Sequence, residues 1–361
     1  MAKGKTGSNE SYKELAESIK AGQVGNFYIF HGDEMYLLER SLDSIRSMLC
    51  PEGLGGFNYK RFEGKGILID DIENAVNTLP VFAERTLVEI HDFDVFYASG
   101  KKRSEEGTQS EDKAPPADKL RLIEILSDLP DYVCLIVVFD VAAYKPDGRL
   151  NSDKAILSKA QVVEFAVQEQ SMLVRWIARH FRDAGKTISA GDAGYLILLT
   201  GGLMSSLLGE IGKVAAYATG GNITRADIDA VVTPVLDAVV YKMTDALVRR
   251  EYGAAMRIMD ELLRMREVPQ MIISGISSKM RQFLAARVCI EDGLDIRALM
   301  DMGGVKHEFQ AKLLMGSARR TTLAGCREAV LCCADTALAI NSAPEPESRL
   351  TELIARLAHC L

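Results

Sequence analysis

The 361-residue sequence predicts a doubly wound α/β domain followed by helical domains. Three observations carry this reading. Short apolar runs alternate with helix-period segments up to Val167, strand signals stop at Gln168, and the helical segments lengthen from Asp237. Strand–helix alternation requires crossover connections, so the strands run parallel and helices cover both faces of the sheet. A chain of this length exceeds one ordinary core. The expected domains are 1–167, 168–236 and 237–361.

The elements follow in order. NFYIFH is a short apolar strand ending at Gly32, and EMYLLERSLDSIRSML continues with Leu38, Leu42, Ile45 and Leu49 at helical spacing. FNYKRFEG alternates imperfectly (Phe57, Tyr59, then Phe62 out of phase), as a more exposed strand would. LIDDIENAVNTL predicts a helix and RTLVEIHDF a strand, and the polar stretch Tyr97–Asp118 predicts a surface loop. A helix over Lys119–Leu129, the buried strand YVCLIVVFD, a helix from near Leu150 and the strand QVVEFA complete a five-stranded domain. Beyond it, LVRWIARHFRDAG puts Leu173, Trp176, Ile177 and Phe181 on one stripe, with Gly185 placed to end the helix. Glycine-broken short helices run to about residue 236. Longer ones follow, the last with Leu350, Leu353, Ile354, Leu357 and Leu361 on one face that needs partner helices.

Composition narrows the function classes. A net charge of −7 lacks the basic surplus of a wholesale nucleic-acid binder, though local contacts to DNA stay open. The apolar runs VCLIVVF and GYLILL fall far short of the roughly 20 residues that cross a bilayer. The start MAKGKTGSNES has no apolar signal core, so a cytosolic protein is expected. Seven cysteines without a C-x-x-C pair point to reduced thiols, and the five scattered histidines lack metal-ligand spacing.

The motifs mostly argue against nucleotide chemistry. Gly4-Lys5-Thr6 has no room for a preceding strand, and Gly185-Lys186-Thr187 has His180 where the first P-loop glycine belongs and follows a helix. Helix capping is the better reading of the second. The turn His31-Gly32-Asp33-Glu34 has the strand-to-helix topology of a phosphate site, because a helix N-terminus attracts anions. Its own carboxylates oppose that use. A phosphate within about 5 Å of one carboxylate is repelled by roughly 3 kcal/mol at an effective dielectric of about 20. Asp33 is the expected N-cap. The strand ends carry His91, Asp92, Asp94 and Asp140, positions where an aspartate can hold Mg²⁺ through water. Without a lysine-bearing phosphate loop, a solvated strand end or a hydrogen-bonded carboxylate is the plainer reading. No cofactor and no metal are expected.

The stretch NTLPVFAERTLVEI (Asn77–Ile90) is the unusual one. Leu79, Val81 and Phe82, beside Pro80, occupy a helix-to-strand connection that is normally polar. They either pack beneath the sheet or form an exposed apolar plug for a partner's pocket. As a plug, Val81 and Phe82 would each contribute roughly 1.5–3 kcal/mol on burial.

Several stretches together resemble one family. FYIFHGDEMYLLERSLDSIR, TLPVFAERTLVEI, LVRWIARHFRDAGKTIS, GGLMSSLLGEIGKVAAY and ITRADIDAVV fall in the order and spacing of the delta subunit of the bacterial DNA polymerase III clamp loader. SRLTELIARLAHC resembles that family's last collar helix. The resemblance implies an AAA+-like (RecA-type) sheet domain without a functional P-loop, a small helical lid domain and an all-α collar domain for loader oligomerisation. It implies a replication factor that binds the beta sliding clamp, helps open the ring and supports its loading onto primed DNA. The implied partners are the clamp, the gamma/tau and delta prime subunits, and primer–template DNA within the complex, with no membrane. No intrinsic catalysis is implied, only membership of the polymerase holoenzyme. The family's clamp-contacting apolar pair, usually Leu-Phe, falls on Val81 and Phe82, flanked by Leu79 and Pro80. Valine for leucine is a departure, shorter but still apolar, and the Tyr97–Asp118 loop is another. The competing readings are a catalytically active AAA+ ATPase and a helical adaptor unrelated to replication.

Overall fold

A computed structural model describes residues 10–50, 55–64, 66–93, 95, 117–139, 151–305, 307–341 and 345–361. The expectations placed on Gly4-Lys5-Thr6, Asp94, Asp140 and most of the Tyr97–Asp118 loop lie outside these residues. The chain forms two compact units, residues 1–168 and 169–361.

The first unit runs α1 (Glu10–Lys20), β1 (Phe27–His31), α2 (Met35–Leu49), α3 (Gly55–Asn58), β2 (Tyr59–Glu63), α4 (Ile69–Val76), β3 (Thr86–His91), α5 (Ala117–Ser127), β4 (Val133–Val138), α6 (Asn151–Leu157) and β5 (Gln161–Glu164). The five strands form one parallel sheet in the order β2-β3-β4-β1-β5. β1, β3 and β4 are buried at every position, as central strands covered on both faces must be. β2 is an edge strand, which explains its weaker alternation. Phe27 and Ile29 of β1, Val88 and Ile90 of β3 and Leu135 and Val137 of β4 pack against α4, α5 and α6 through Ile72, Leu122, Ile125 and Ile156. The alternate residues face the other way, toward α1 and α2: Tyr12 of α1 packs on Phe165, which packs on Phe30, and Arg46 of α2 reaches Glu89 of β3.

Two elements here escape the sequence reading. α1 is an amphipathic helix beside the sheet's β5 edge, where the Ser11 hydroxyl accepts from the Glu164 amide at 3.2 Å. α3 is a single turn that delivers Asn58 to the start of β2.

The second unit runs α7 (Gln170–Asp183), β6 (Thr187–Ile188), α8 (Ala190–Thr200), α9 (Met204–Tyr217), β7 (Asn222–Ile223), α10 (Arg225–Val231), α11 (Leu236–Val248), α12 (Tyr252–Arg264), α13 (Pro269–Glu291), α14 (Ile296–Gly303), α15 (Glu308–Ala318), α16 (Leu323–Ile340) and α17 (Pro346–Cys360). Strand signal does not wholly stop at Gln168, because β6 and β7 form a two-residue parallel ladder. α10 opens with a capping box between Thr224 and Asp227. The α17 stripe is covered as expected: Leu350, Leu353, Ile354 and Leu357 are buried against α12, α13 and α16. α14 also escapes the sequence reading; its Leu299 joins the same core.

Candidate functional site

The β1–α2 turn is closed. Gly32 has φ +134, and a Cβ there would stand 2.3 Å from the Phe165 carbonyl oxygen. The His31 carbonyl accepts from the Phe165 amide at 2.8 Å, and the Glu34 amide donates to the Phe165 carbonyl at 2.9 Å. An amide that would meet a phosphate is therefore bonded to the segment leaving β5. The N-cap is Glu34, a correction to the expected Asp33, and it makes no side-chain cap. Glu34 is buried where the turn packs on Phe165, whereas Asp33 is exposed, so only one of the two carboxylates faces water.

Gly185-Lys186-Thr187 is a helix terminator. Gly185, at φ +72, follows the last turn of α7; its amide donates to Arg182 and that of Lys186 to Phe181, the paired bonds of a Schellman motif. The Lys186 ammonium donates to the carbonyls of Ala218 (2.7 Å) and Gly220 (2.8 Å), closing the end of α9. This lysine already serves two carbonyls.

β3 carries a buried charge cluster that begins at Glu89 and reaches the strand's last residue, His91. Glu89 is fully buried and accepts from Arg46 Nε at 2.7 Å and Nη2 at 2.5 Å, and from the Tyr59 hydroxyl at 3.1 Å. His91 Nε2 lies 3.5 Å from the same carboxylate. Burial pushes Glu89 up, but the hydrogen bonds from His91, Arg46 and Tyr59 outweigh it and hold the carboxyl below its ordinary range. Among the described residues, no three His, Cys, Asp or Glu side chains are grouped to hold a metal. Burial pushes the Cys134 and Cys333 thiols up to about 12, the reverse of nucleophile activation.

The amino edge of the sheet, opposite the strand ends where such folds bind ligands, presents the apolar turn. The connection from α4 to β3 leaves Phe82 88% exposed, Leu79 68% and Val81 38%, with Pro80 half-buried. The reading that these residues pack beneath the sheet is thereby overturned. Leu79 shows more surface than Val81, whose main chain is held. Asn58 Nδ2 donates to the Val81 carbonyl at 2.8 Å, and the Val81 amide donates to Asn58 Oδ1 at 2.6 Å. Phe82 sits at φ +53, a left-handed conformation unusual for an aromatic residue. Just beyond, the Arg85 guanidinium donates to the carbonyls of Val24, Gly25 and Val133 and to Asn26 Oδ1, tying the turn to the starts of β1 and β4. Phe57, next to Asn58, is also exposed. The sequence carries no signal for Asn58, because its partner lies 23 residues away and only the β2–β3 pairing joins them.

Residues 28–166 match the family described as DNA polymerase III, delta subunit, and residues 237–356 match the C-terminal domain of the DNA polymerase III delta subunit. The chain belongs to the DNA polymerase III delta subunit family. It is 25% identical over 312 residues to DNA polymerase III subunit delta of Bacillus subtilis, covering 85% of each chain. To the probable delta subunit of Aquifex aeolicus it is 24% identical, covering 78% of this chain and 76% of the relative. The solved clamp-loader delta protein of Bacillus subtilis superposes with a TM-score of 0.53 at 22% identity, over 96% of this chain and 99% of that one. The fold, a parallel five-stranded sheet with flanking helices followed by a helical C-terminal region, is that of this solved protein, and the chain is a delta subunit of DNA polymerase III. Membership removes the adaptor unrelated to replication. Among the described residues, no single helix is long and apolar enough to cross a membrane.

Proposed function

We propose that this delta subunit binds the beta sliding clamp through the Leu79–Phe82 turn, helps open the ring and supports its loading onto primed DNA. The observation that carries this reading is Phe82, an aromatic side chain 88% exposed on a turn whose main chain is pinned on both sides. An exposed ring of this kind gains little within the chain and much in a partner's apolar pocket. Phe82 is the main anchor, and Val81 and Leu79 enlarge the contact, with Pro80 stiffening the approach. With Phe82 seated, the sheet behind it is a rigid body able to press a neighbouring clamp element away from its ring-closing position.

The protein acts mechanically in this scheme, and ATP is turned over by other subunits. The closed Gly32 turn and the engaged Lys186 favour this over an active ATPase. Residues 168–236 then serve as the lid and residues 237–361 as the collar that meets gamma/tau and delta prime. The exposed Leu331 and Leu338 of α16 suit such contacts. Arg249, Arg250, Arg264, Arg266, Arg319 and Arg320 are all exposed and suit primer–template DNA or neighbouring subunits within the complex. The setting is the cytoplasm.

The test is the Val81→Ala/Phe82→Ala double variant titrated with purified sliding clamp. Two apolar anchors at roughly 1.5–3 kcal/mol each imply a loss of about 10²- to 10⁴-fold in affinity, with the melting temperature unchanged. Undiminished binding would overturn the proposal.

A further inference from the structure

We infer that Asn58 is a positioning residue of the clamp-contacting turn, holding the chain in the conformation that projects Phe82. The inference rests on the reading of that turn given above. Asn58 is 1% exposed, and its side-chain amide makes both hydrogen bonds that a neighbouring strand would make to Val81. The two bonds also fix the amide's orientation, since the Val81 N–H can face only Oδ1 and its carbonyl only Nδ2. Asn58 stands immediately before β2, and Val81 lies five residues before β3, where the two main chains have not yet paired. Among the described residues, no main-chain bond joins residues 79–85 to another main-chain group. A side chain thus extends the ladder to the turn.

The conformation of Phe82 makes this support necessary. A left-handed aromatic residue persists only where its surroundings over-determine it. The ring is almost wholly in solvent and cannot anchor itself. The constraint comes from the two sides, Asn58 on Val81 and Arg85 on the strand starts. Losing the Asn58 bonds lets the turn relax, so a smaller fraction of molecules presents Phe82 correctly, and apparent affinity falls by that fraction.

The experiment uses the full chain and purified sliding clamp, with Asn58→Ala, Asn58→Asp, Phe82→Ala and the Asn58→Ala/Phe82→Ala double variant. The loss of two buried hydrogen bonds corresponds to a drop of roughly ten- to thirtyfold in clamp affinity for Asn58→Ala. Asn58→Asp, which keeps the acceptor and loses the donor, should also bind more weakly than the parent. Once Phe82 is absent, Asn58→Ala should cost nothing further, whereas general destabilisation would add to the loss. Hydrogen exchange on the unsubstituted chain tests the geometry without any variant: the Val81 amide should be protected despite its exposed turn. An unprotected Val81 amide, or a folded Asn58 variant with parental affinity where Phe82→Ala binds poorly, overturns the inference alone. Parental affinity in Phe82→Ala overturns the underlying reading instead.

Discussion

Phe82 holds a backbone conformation that costs an L-residue about 1–2 kcal/mol, while its exposed ring recovers almost nothing by packing. Glycine would remove that strain at a backbone-entropy cost of about 0.5–1 kcal/mol. Phe82→Gly should therefore leave folding stability unchanged or raise it by up to about 1 kcal/mol, while clamp binding is lost. Denaturant melts beside a clamp titration check both halves. A stability loss like that of a core phenylalanine, about 3–5 kcal/mol, would mean that the ring packs within the chain. Gly32 is the opposite case, since a Cβ there would stand 2.3 Å from the Phe165 carbonyl oxygen. Gly32→Ala should cost roughly 2–5 kcal/mol, from overpacking and from strain at φ +134. Exchange of the Phe165 amide should rise as β5 separates from the turn; full protection would contradict this account. One glycine keeps a site closed, and one aromatic residue keeps a surface available.

Between elements, α2 is tied to β3 through Arg46 and the fully buried Glu89. Taking a carboxylate out of water is repaid only while its partners remain, so Arg46→Ala should destabilise the first unit by about 3–5 kcal/mol. Glu89→Leu, which removes the buried charge as well, should cost less than Arg46→Ala. The opposite order in denaturant melts would count against the pairing. The pH dependence follows from the depressed Glu89 carboxyl. Its contribution is fully present above the unfolded carboxylate value of about 4.3 and disappears as pH falls through the lower folded value. The acid limb of the stability–pH profile should therefore flatten in Glu89→Leu, and an unchanged limb would show that Glu89 does not carry it. Tyr59, the residue next to Asn58, donates to the same carboxylate.

Across the whole chain, long-period patterns are readable in the sequence and local chemistry is less so. Continuous apolar runs such as VCLIVV mark central strands, and the α17 stripe marks a covered face, because burial imposes its period on many residues at once. α1 escapes notice because its few apolar positions lie in a polar stretch, and α14 because its eight residues, barely two turns, are too short to state a helical period. Leu79 and Phe82 stand out by their apolar character in a loop, but no sequence period states whether a loop residue points inward. That depends on Asn58, a contact created only by strand pairing. With the carboxyl edge closed at Gly32 and the amino edge displaying an apolar turn, the two edges carry different properties. The isolated protein should bind the clamp equally well with and without Mg·ATP, since the Gly32 turn is closed and Lys186 is engaged by two carbonyls. Its affinity should also change by less than about threefold across a tenfold range of salt, because apolar anchors are not screened as ion pairs are. Titrations at two salt concentrations, each with and without Mg·ATP, measure both. A steep fall with salt would shift the contact from Phe82 to the exposed arginines, and a nucleotide requirement would mean that the chain holds a phosphate site elsewhere than at Gly32 and Lys186.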